Sequence, residues 1–272
     1  MPRIIVITGA SSGVGLAAAR QLAAQGEQVV VVGRDPGRLG AAMAAVRAAA
    51  TGPEPAEFRA DFTVLGEVRG LADGLLAAYP KIDVLANNAG GMVGSYVRTV
   101  DGFEATMQGN HLAPFLLTHL LRDALRGGRV VNTSSRAHQR AKLDPADFTG
   151  SAGGYNMWRA YGASKAANIL FAAEAARRWP EITSVSFHPG VVRTNFGVGA
   201  ATRFFYRFAP FLTTPEKAGA LLTWLSTAEV VNGAYYVGHK VTRPDAAAAD
   251  PATAAQAWDN SAAAVQMSRR AQ

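Results

Sequence analysis

Short runs of branched apolar residues alternate along this chain with longer amphipathic, alanine-rich stretches, and few architectures satisfy that alternation. Strand-like runs at 3–8, 28–33, 57–60, 82–86, 129–133, 183–188 and 234–238 are separated by helix-like stretches at 15–25, 38–50, 64–79, 103–125 and 161–178. Val29, Val30, Val31 and Val32 are apolar at every position rather than every second one, as a strand covered on both faces requires. Strand, helix, parallel strand is the beat of a doubly wound sheet. The sequence therefore predicts an α/β fold in a single domain, with a parallel sheet of about seven strands.

Composition narrows the possibilities further. A chain of 272 residues that is 49% apolar and 17% charged carries enough apolar surface for one large core. It has no cysteine, which excludes disulfides, thiolate nucleophiles, zinc fingers and iron–sulfur clusters, and no metal site is implied. Its 27 Lys and Arg against 20 acids give +7, but the cations are scattered, so no nucleic-acid partner is expected. No apolar run reaches the ~20 residues of a membrane span. Ile4 to Ile7 is too short for a signal peptide, so the expectation is a cytoplasmic protein.

Three segments break the beat: 136–160, with Pro145 and several glycines; 195–214, with six aromatics; and 244–257, alanine-rich with two prolines. Irregular stretches of this length are usually lids, binding loops or tails. The chain is accordingly divided into a dinucleotide-binding domain at 1–243, which includes a substrate loop at 195–214, and a tail at 244–272. Within that tail a solvated linker is expected to precede a short helix at 254–267.

The first strand runs into Thr8-Gly9-Ala10-Ser11-Ser12-Gly13-Val14-Gly15 and then a helix. Glycines there let the backbone turn and approach a pyrophosphate, whose charge sits on the free N–H groups at the helix start. This is the phosphate loop of a Rossmann fold. Binding is assigned to Gly9, Ser11, Ser12, Gly13, Val14 and Gly15. An NAD site usually ends its second strand in an acid about 20 residues past the glycines. Here that strand ends in Gly33-Arg34, and a guanidinium suits a 2′-phosphate by charge and by bidentate geometry. Arg38 adds a second cation, Asp35 counts slightly against, and the cofactor expected is NADP, with NADPH preferred over NADH.

The order and spacing of TGASSGVG at 8–15, Asp61, NNAG at 87–90, Asn110, VVNTSS at 130–135, YGASK at 161–165 and HPGVVRT at 188–194 resemble the short-chain dehydrogenase/reductase superfamily. Within it, NHLAPFLLTHLL at 110–121 and SSRAH at 134–138 are most similar to the retinol dehydrogenase and protochlorophyllide reductase group. Tyr161 and Lys165 lie four apart, on one helix face, where an ammonium stabilises a phenolate and tunes a proton donor. The resemblance implies Tyr161 as general acid/base and Ser135, with Ser134 as fallback, as donor to the substrate oxygen. It also implies that Lys165 is the ribose contact and that Asn110 is the helix asparagine whose backbone carbonyl holds a relay water. Pro114 has no N–H to offer the carbonyl of Asn110, which that role would use. By the same resemblance Asp61 and Phe62 border the adenine, Asn88, Ala89 and Gly90 line the cofactor, and Pro189, Gly190, Val192 and Thr194 contact the nicotinamide amide. His138 and Phe196 are substrate-pocket candidates, while His111, His119 and His188 read as packing or hydrogen-bonding residues.

The activity implied is hydride transfer between nicotinamide and a carbonyl or alcohol of an apolar small molecule. Two alternatives are a catalytically silent dinucleotide sensor and a membrane-surface enzyme using Phe204–Phe211 as anchor. The alanine-rich helix at 161–178 could pair helices in a homodimer.

Overall fold

In the computed structural model, residues 1–150, 154–192 and 212–267 are described. The strands are β1 (Ile4–Thr8), β2 (Gln28–Gly33), β3 (Ala56–Arg59), β4 (Val84–Asn87), β5 (Arg129–Thr133), β6 (Thr183–His188), β7 (Tyr235–Val237) and β8 (Lys240–Val241). They form one sheet in the order β3-β2-β1-β4-β5-β6-β7-β8. Every pairing is parallel except β7 with β8. The strand beyond the expected seven is β8, a two-residue hairpin partner of β7 turned through Gly238 at φ +59°. Two residues are too few to leave a periodic signature.

Helices α1 (Gly13–Ala24), α2 (Pro36–Arg47) and α3 (Leu65–Ala78) follow the first three strands. A composite helix, α4, joins Ala105–Met107, a π turn at Gln108–Leu112 and Ala113–Leu120. Then come α5 (Met157–Arg178), α6 (Pro215–Thr227) and α7 (Pro251–Met267). Local chemistry sets several starts: Asp35, Asn156 and Thr214 each accept a first-turn amide, and Pro36 and Pro215 follow two of these caps. Alternate residues of β1 enter opposite cores. Ile5 and Ile7 pack with α1, α2 and α6, whereas Val6 packs with the face covered by α3, α4, α5 and α7.

The segment expected to be a solvated linker is structured. Helix α7 starts at Pro251, spans 17 residues, and puts Ala254 and Ala257 against Leu170. Its Trp258 is 6% exposed, with ring centroids 4.7 Å from Trp179, 4.9 Å from His119 and 5.2 Å from Phe115. The alanines that looked like linker composition are there because small side chains let α7 lie close to α5. Ala166, Ile169 and Leu170 of α5 are covered by this same stretch of chain, so a homodimer through that face would first have to displace it.

Candidate active site

Backbone fit explains the glycines first. Gly9 has φ +67°, and a Cβ there would fall 2.7 Å from the Cα of Ala89; Gly13 has φ +56°. Gly15 does not face the cleft. A Cβ on it would meet Asn88 Nδ2 at 2.6 Å and the Gly9 carbonyl at 2.7 Å, so it serves the close approach of α1 to the ends of β1 and β4. Those ends are stitched together: Thr8 Oγ1 accepts the amides of Asn88 and Ala89, both at 3.0 Å, and Asn88 Nδ2 donates to the Thr8 carbonyl at 2.9 Å. The strand order reverses here, and a cleft of about 1370 Å³ opens along the carboxyl ends of the strands.

At the β2 end the cleft is lined by Ser11, Ser12, Gly13, Val14, Arg34 and Arg38, with Asp61 and Phe62 opposite. Gly33 cannot readily be an acid, because a Cβ there would stand 3.1 Å from both Ser11 Cβ and Leu39 Cδ1. Asp35 is occupied otherwise: its carboxylate caps α2 through the Arg38 amide at 2.8 Å. Arg34 Nη1 lies 3.3 Å from Asp61 Oδ2 and is 60% exposed, free to turn toward an anion. Burial works against ionisation of Asp61, but the Thr63 amide and hydroxyl and the Arg34 guanidinium outweigh it and hold the carboxyl below its usual range.

At the other end Ser135, Tyr161, Lys165 and Asn110 line the same cleft. Of the two serines ending β5, Ser135 faces the opening. Ser134 is buried, its hydroxyl donating to the Lys165 carbonyl at 2.7 Å. Lys165 is 3% exposed, its Nζ donates to the Thr133 carbonyl at 3.0 Å and sits 5.5 Å from the Tyr161 ring centroid. Desolvation pushes its ammonium down to about 8. Asn110 grips the chain after β4: Nδ2 donates to the Gly91 carbonyl and to Ser164 Oγ, each at 2.9 Å, and Oδ1 accepts the Gly91 amide at 2.8 Å. A Cβ on Gly90 would strike Asn110 Oδ1 at 2.7 Å and approach Lys165 Nζ to 3.3 Å.

The π turn answers the question posed by Pro114. The Ala113 amide bonds back to the Gln108 carbonyl, and the carbonyl of Asn110, denied a helical donor, accepts Asn168 Nδ2 at 3.0 Å. One lone pair of the carbonyl expected to hold a water is thus taken by a side chain. Asn168 also donates to Thr133 O at 3.1 Å, beside the lysine, and its Oδ1 meets His111 Nδ1 at 3.3 Å. His111 Nε2 in turn meets Ser261 Oγ of α7 at 2.9 Å. Burial pushes His111 down to about 4, leaving the ring neutral at pH 7. Sequence reasoning missed Asn168, although its place one turn after Lys165 and opposite the Pro114-freed carbonyl was a usable signal. Asn168→Leu should take the side-chain donor from the buried Asn110 carbonyl, leave the Thr133 carbonyl with Lys165 alone, and lower unfolding stability by about 1–3 kcal/mol, as urea denaturation would measure. Unchanged stability would mean that water replaces the amide without loss.

Pro189, Gly190 and Val192 also line the cleft, with Gly190 at φ +93° pressed against Thr213. Thr194, Phe196 and the aromatic stretch 204–211 lie outside the described residues. His138, a substrate-pocket candidate, does not line the cleft. It is wholly buried, with Nδ1 2.6 Å from the Ser135 carbonyl and Nε2 3.2 Å from Asp245 Oδ1, because the turn Arg136–Arg140 folds it under Ser135 rather than over it. The cleft wall beyond Ser135 is instead made by Met92, Val93, Arg136, Arg140, Trp158 and Arg159. Adjacency to Asn88-Ala89-Gly90, to Ser135 and to Tyr161 was the sequence signal for these. Among the described residues there is no group of His, Cys, Asp or Glu that could hold a metal ion, and no helix is long and apolar enough to cross a membrane.

A family model described as short chain dehydrogenase matches residues 3–202. A protein of Streptomyces sp. (strain C5) named as a daunorubicin C-13 ketoreductase is 49% identical over 97% of this chain and 92% of its own length. Human retinol dehydrogenase 12 is 34% identical over 94% of this chain and 84% of its own length. Among solved structures, an uncharacterized protein from Mycobacterium paratuberculosis superposes with a TM-score of 0.81 at 31% identity, covering 97% and 93% of the two chains. A short chain dehydrogenase from Shigella flexneri 2a, complexed with NADP, superposes at 0.68 with 27% identity, covering 88% and 97%.

Proposed function

The chain belongs to the short-chain dehydrogenase family, an oxidoreductase family, and from that premise we propose that it is an NADP(H)-dependent enzyme exchanging hydride with a carbonyl or alcohol carbon of an apolar small molecule. The observation that carries the reading is one cleft holding the glycine loop at one end and, at the other, a buried Lys165 beside Tyr161 with Ser135 on the same wall.

The residues present fit a dinucleotide. Gly9 has no room for a Cβ beside Ala89, Gly13 turns the chain at φ +56°, and Ser12 makes no side-chain cap, so the amides opening α1 are left for phosphate. Arg34 and Arg38 suit a 2′-phosphate. When bound, the nicotinamide supplies the hydride in reduction or takes it in oxidation. The chain does the rest: Ser135 and Tyr161 hold the substrate oxygen, Tyr161 gives it a proton, and the Lys165 ammonium lowers the cost of the phenolate left behind. Lys165 would also hold the ribose of a bound dinucleotide. Asn110 and Asn168 fix the backbone around Lys165. We place the enzyme in the cytoplasm, and the presence of both Tyr161 and Lys165 speaks against a silent sensor.

The test is oxidation of NADPH with a panel of ketones and quinones. Arg34→Ala should raise KM for NADPH about ten- to hundredfold, the worth of one charge-assisted phosphate contact, and change KM for NADH far less. Equal use of NADH and NADPH by the parent would remove the 2′-phosphate assignment and leave the rest of the reading standing.

A further inference from the structure

The cleft changes electrical character from one end to the other. At the β2 end each guanidinium meets a carboxylate, Arg34 with Asp61 at 3.3 Å and Arg38 with Asp35 at 3.7 Å. Beyond Ser135 that matching stops. Arg136 and Arg140 bound the turn after Ser135, Arg159 sits in the first turn of α5, and all three are exposed and line the cleft. None of the three guanidiniums makes an ion pair or hydrogen bond among the described residues.

Among the described residues no carboxylate pairs with them. The only acids lining the cleft among the described residues are Asp35 and Asp61, both at the far end. Acids on neighbouring segments are engaged elsewhere: Asp245 lies against buried His138, Glu104 takes the amides of Thr106 and Met107, and Asp144 and Asp147 accept hydrogen bonds within their own loop. The stretches 151–153 and 193–211 contain no Asp or Glu. Apart from the guanidiniums, much of this wall is apolar, formed by Met92, Val93, Trp158 and Val191.

Three uncompensated like charges in one concavity repel each other and focus a positive field into it. The fork of a guanidinium matches the oxygens of a carboxylate or phosphate. Building on the oxidoreductase reading, we infer that the substrate is an apolar carbonyl compound carrying an anionic group, and that Arg136, Arg140 and Arg159 form the subsite for that group. A substrate bearing an amine cation meets repulsion at the same place.

Calorimetry on the NADP⁺-saturated protein tests this without knowledge of the natural substrate, because saturation removes the Arg34 end from competition. The probes are 2-naphthoate, 2-naphthyl phosphate and the neutral 2-naphthamide. At low ionic strength the parent should bind at least one anion about tenfold or more tighter than the amide, with a preference that shrinks as salt is raised. The triple variant Arg136→Gln, Arg140→Gln, Arg159→Gln should bring the ratio to about one, and because all three side chains are exposed its melting temperature should match the parent's. Tighter binding of the phosphate assigns a phosphate ester as the substrate's charge, and tighter binding of the naphthoate a carboxylate. A parent that binds NADP⁺ but takes neither anion, or takes anion and amide equally, overturns the inference alone, as does a preference that survives in the triple variant. A parent that fails to bind NADP⁺ overturns the oxidoreductase reading, and this inference falls with it.

Discussion

Tyr161→Phe is expected to reduce kcat by about 10²–10⁴-fold while leaving the dissociation constant for NADPH within about twofold of the parent's. The substitution removes one oxygen. The ring that stands 5.5 Å from Lys165 Nζ stays, and so do the glycine loop and Arg34. Only the proton that must reach the substrate oxygen is lost, so the deficit belongs in turnover rather than in cofactor affinity. Steady-state rates paired with a fluorescence titration of NADPH separate the two. A variant that reduced substrate at near the parent rate would move the proton donor to another residue, and none of the described residues lining that end is a second tyrosine.

Lys165→Met should fall at least as far in kcat, lose cofactor affinity as well, and yet give a more stable protein at neutral pH. Burial lowers the Lys165 ammonium from 10.5 to about 8. Between those values the unfolded chain holds a proton that the folded chain has released, so the parent without cofactor gains stability as pH rises through that window. Below pH 8 the buried charge is a standing penalty. Methionine removes it, for a gain of about 1–3 kcal/mol at pH 7 after allowing for the lost bond to Thr133. The gain should shrink above pH 8 and vanish near 10.5. Thermal unfolding of both proteins from pH 6 to 11 measures it. A variant less stable than the parent at pH 7 would show that the ammonium is well solvated by hydrogen bonds rather than tolerated for its chemistry.

How much of this could be read from residues alone depended on the range of the interaction. Strands β2, β5 and β6 coincide with the runs at 28–33, 129–133 and 183–188, because strands buried on both faces carry Val29 to Val32, Val130, Val131, Val185 and Phe187 at their centres. The glycine loop and the Tyr161–Lys165 pair were legible for a related reason: their geometry is local, set by a turn and by one helical period. His138 was misplaced because three residues of 3₁₀ turn decide whether a side chain lies over or under Ser135, and no periodicity reports that. Helix α7 was undervalued because alanine is ambiguous. The same composition reads as linker or as a close-packing face until Trp258 is seen among Phe115, His119 and Trp179. The link from Ser261 through His111 to Asn168 crosses 150 positions at its first step and was beyond any local pattern.

The stitch at Thr8 has a consequence for how the molecule is made and kept. Its hydroxyl holds an amide 80 positions away, so the rim of the cleft cannot exist until β1 and β4 have met, and contacts of such separation form slowly. A dinucleotide therefore has no half-built chain to bind; it draws only on the finished fold. By mass action, cofactor at 100 times its dissociation constant adds about 2.7 kcal/mol to the free energy of unfolding. Proteolysis that acts through transient opening tracks that free energy, so the lifetime of the protein in a cell should rise and fall with the supply of the dinucleotide.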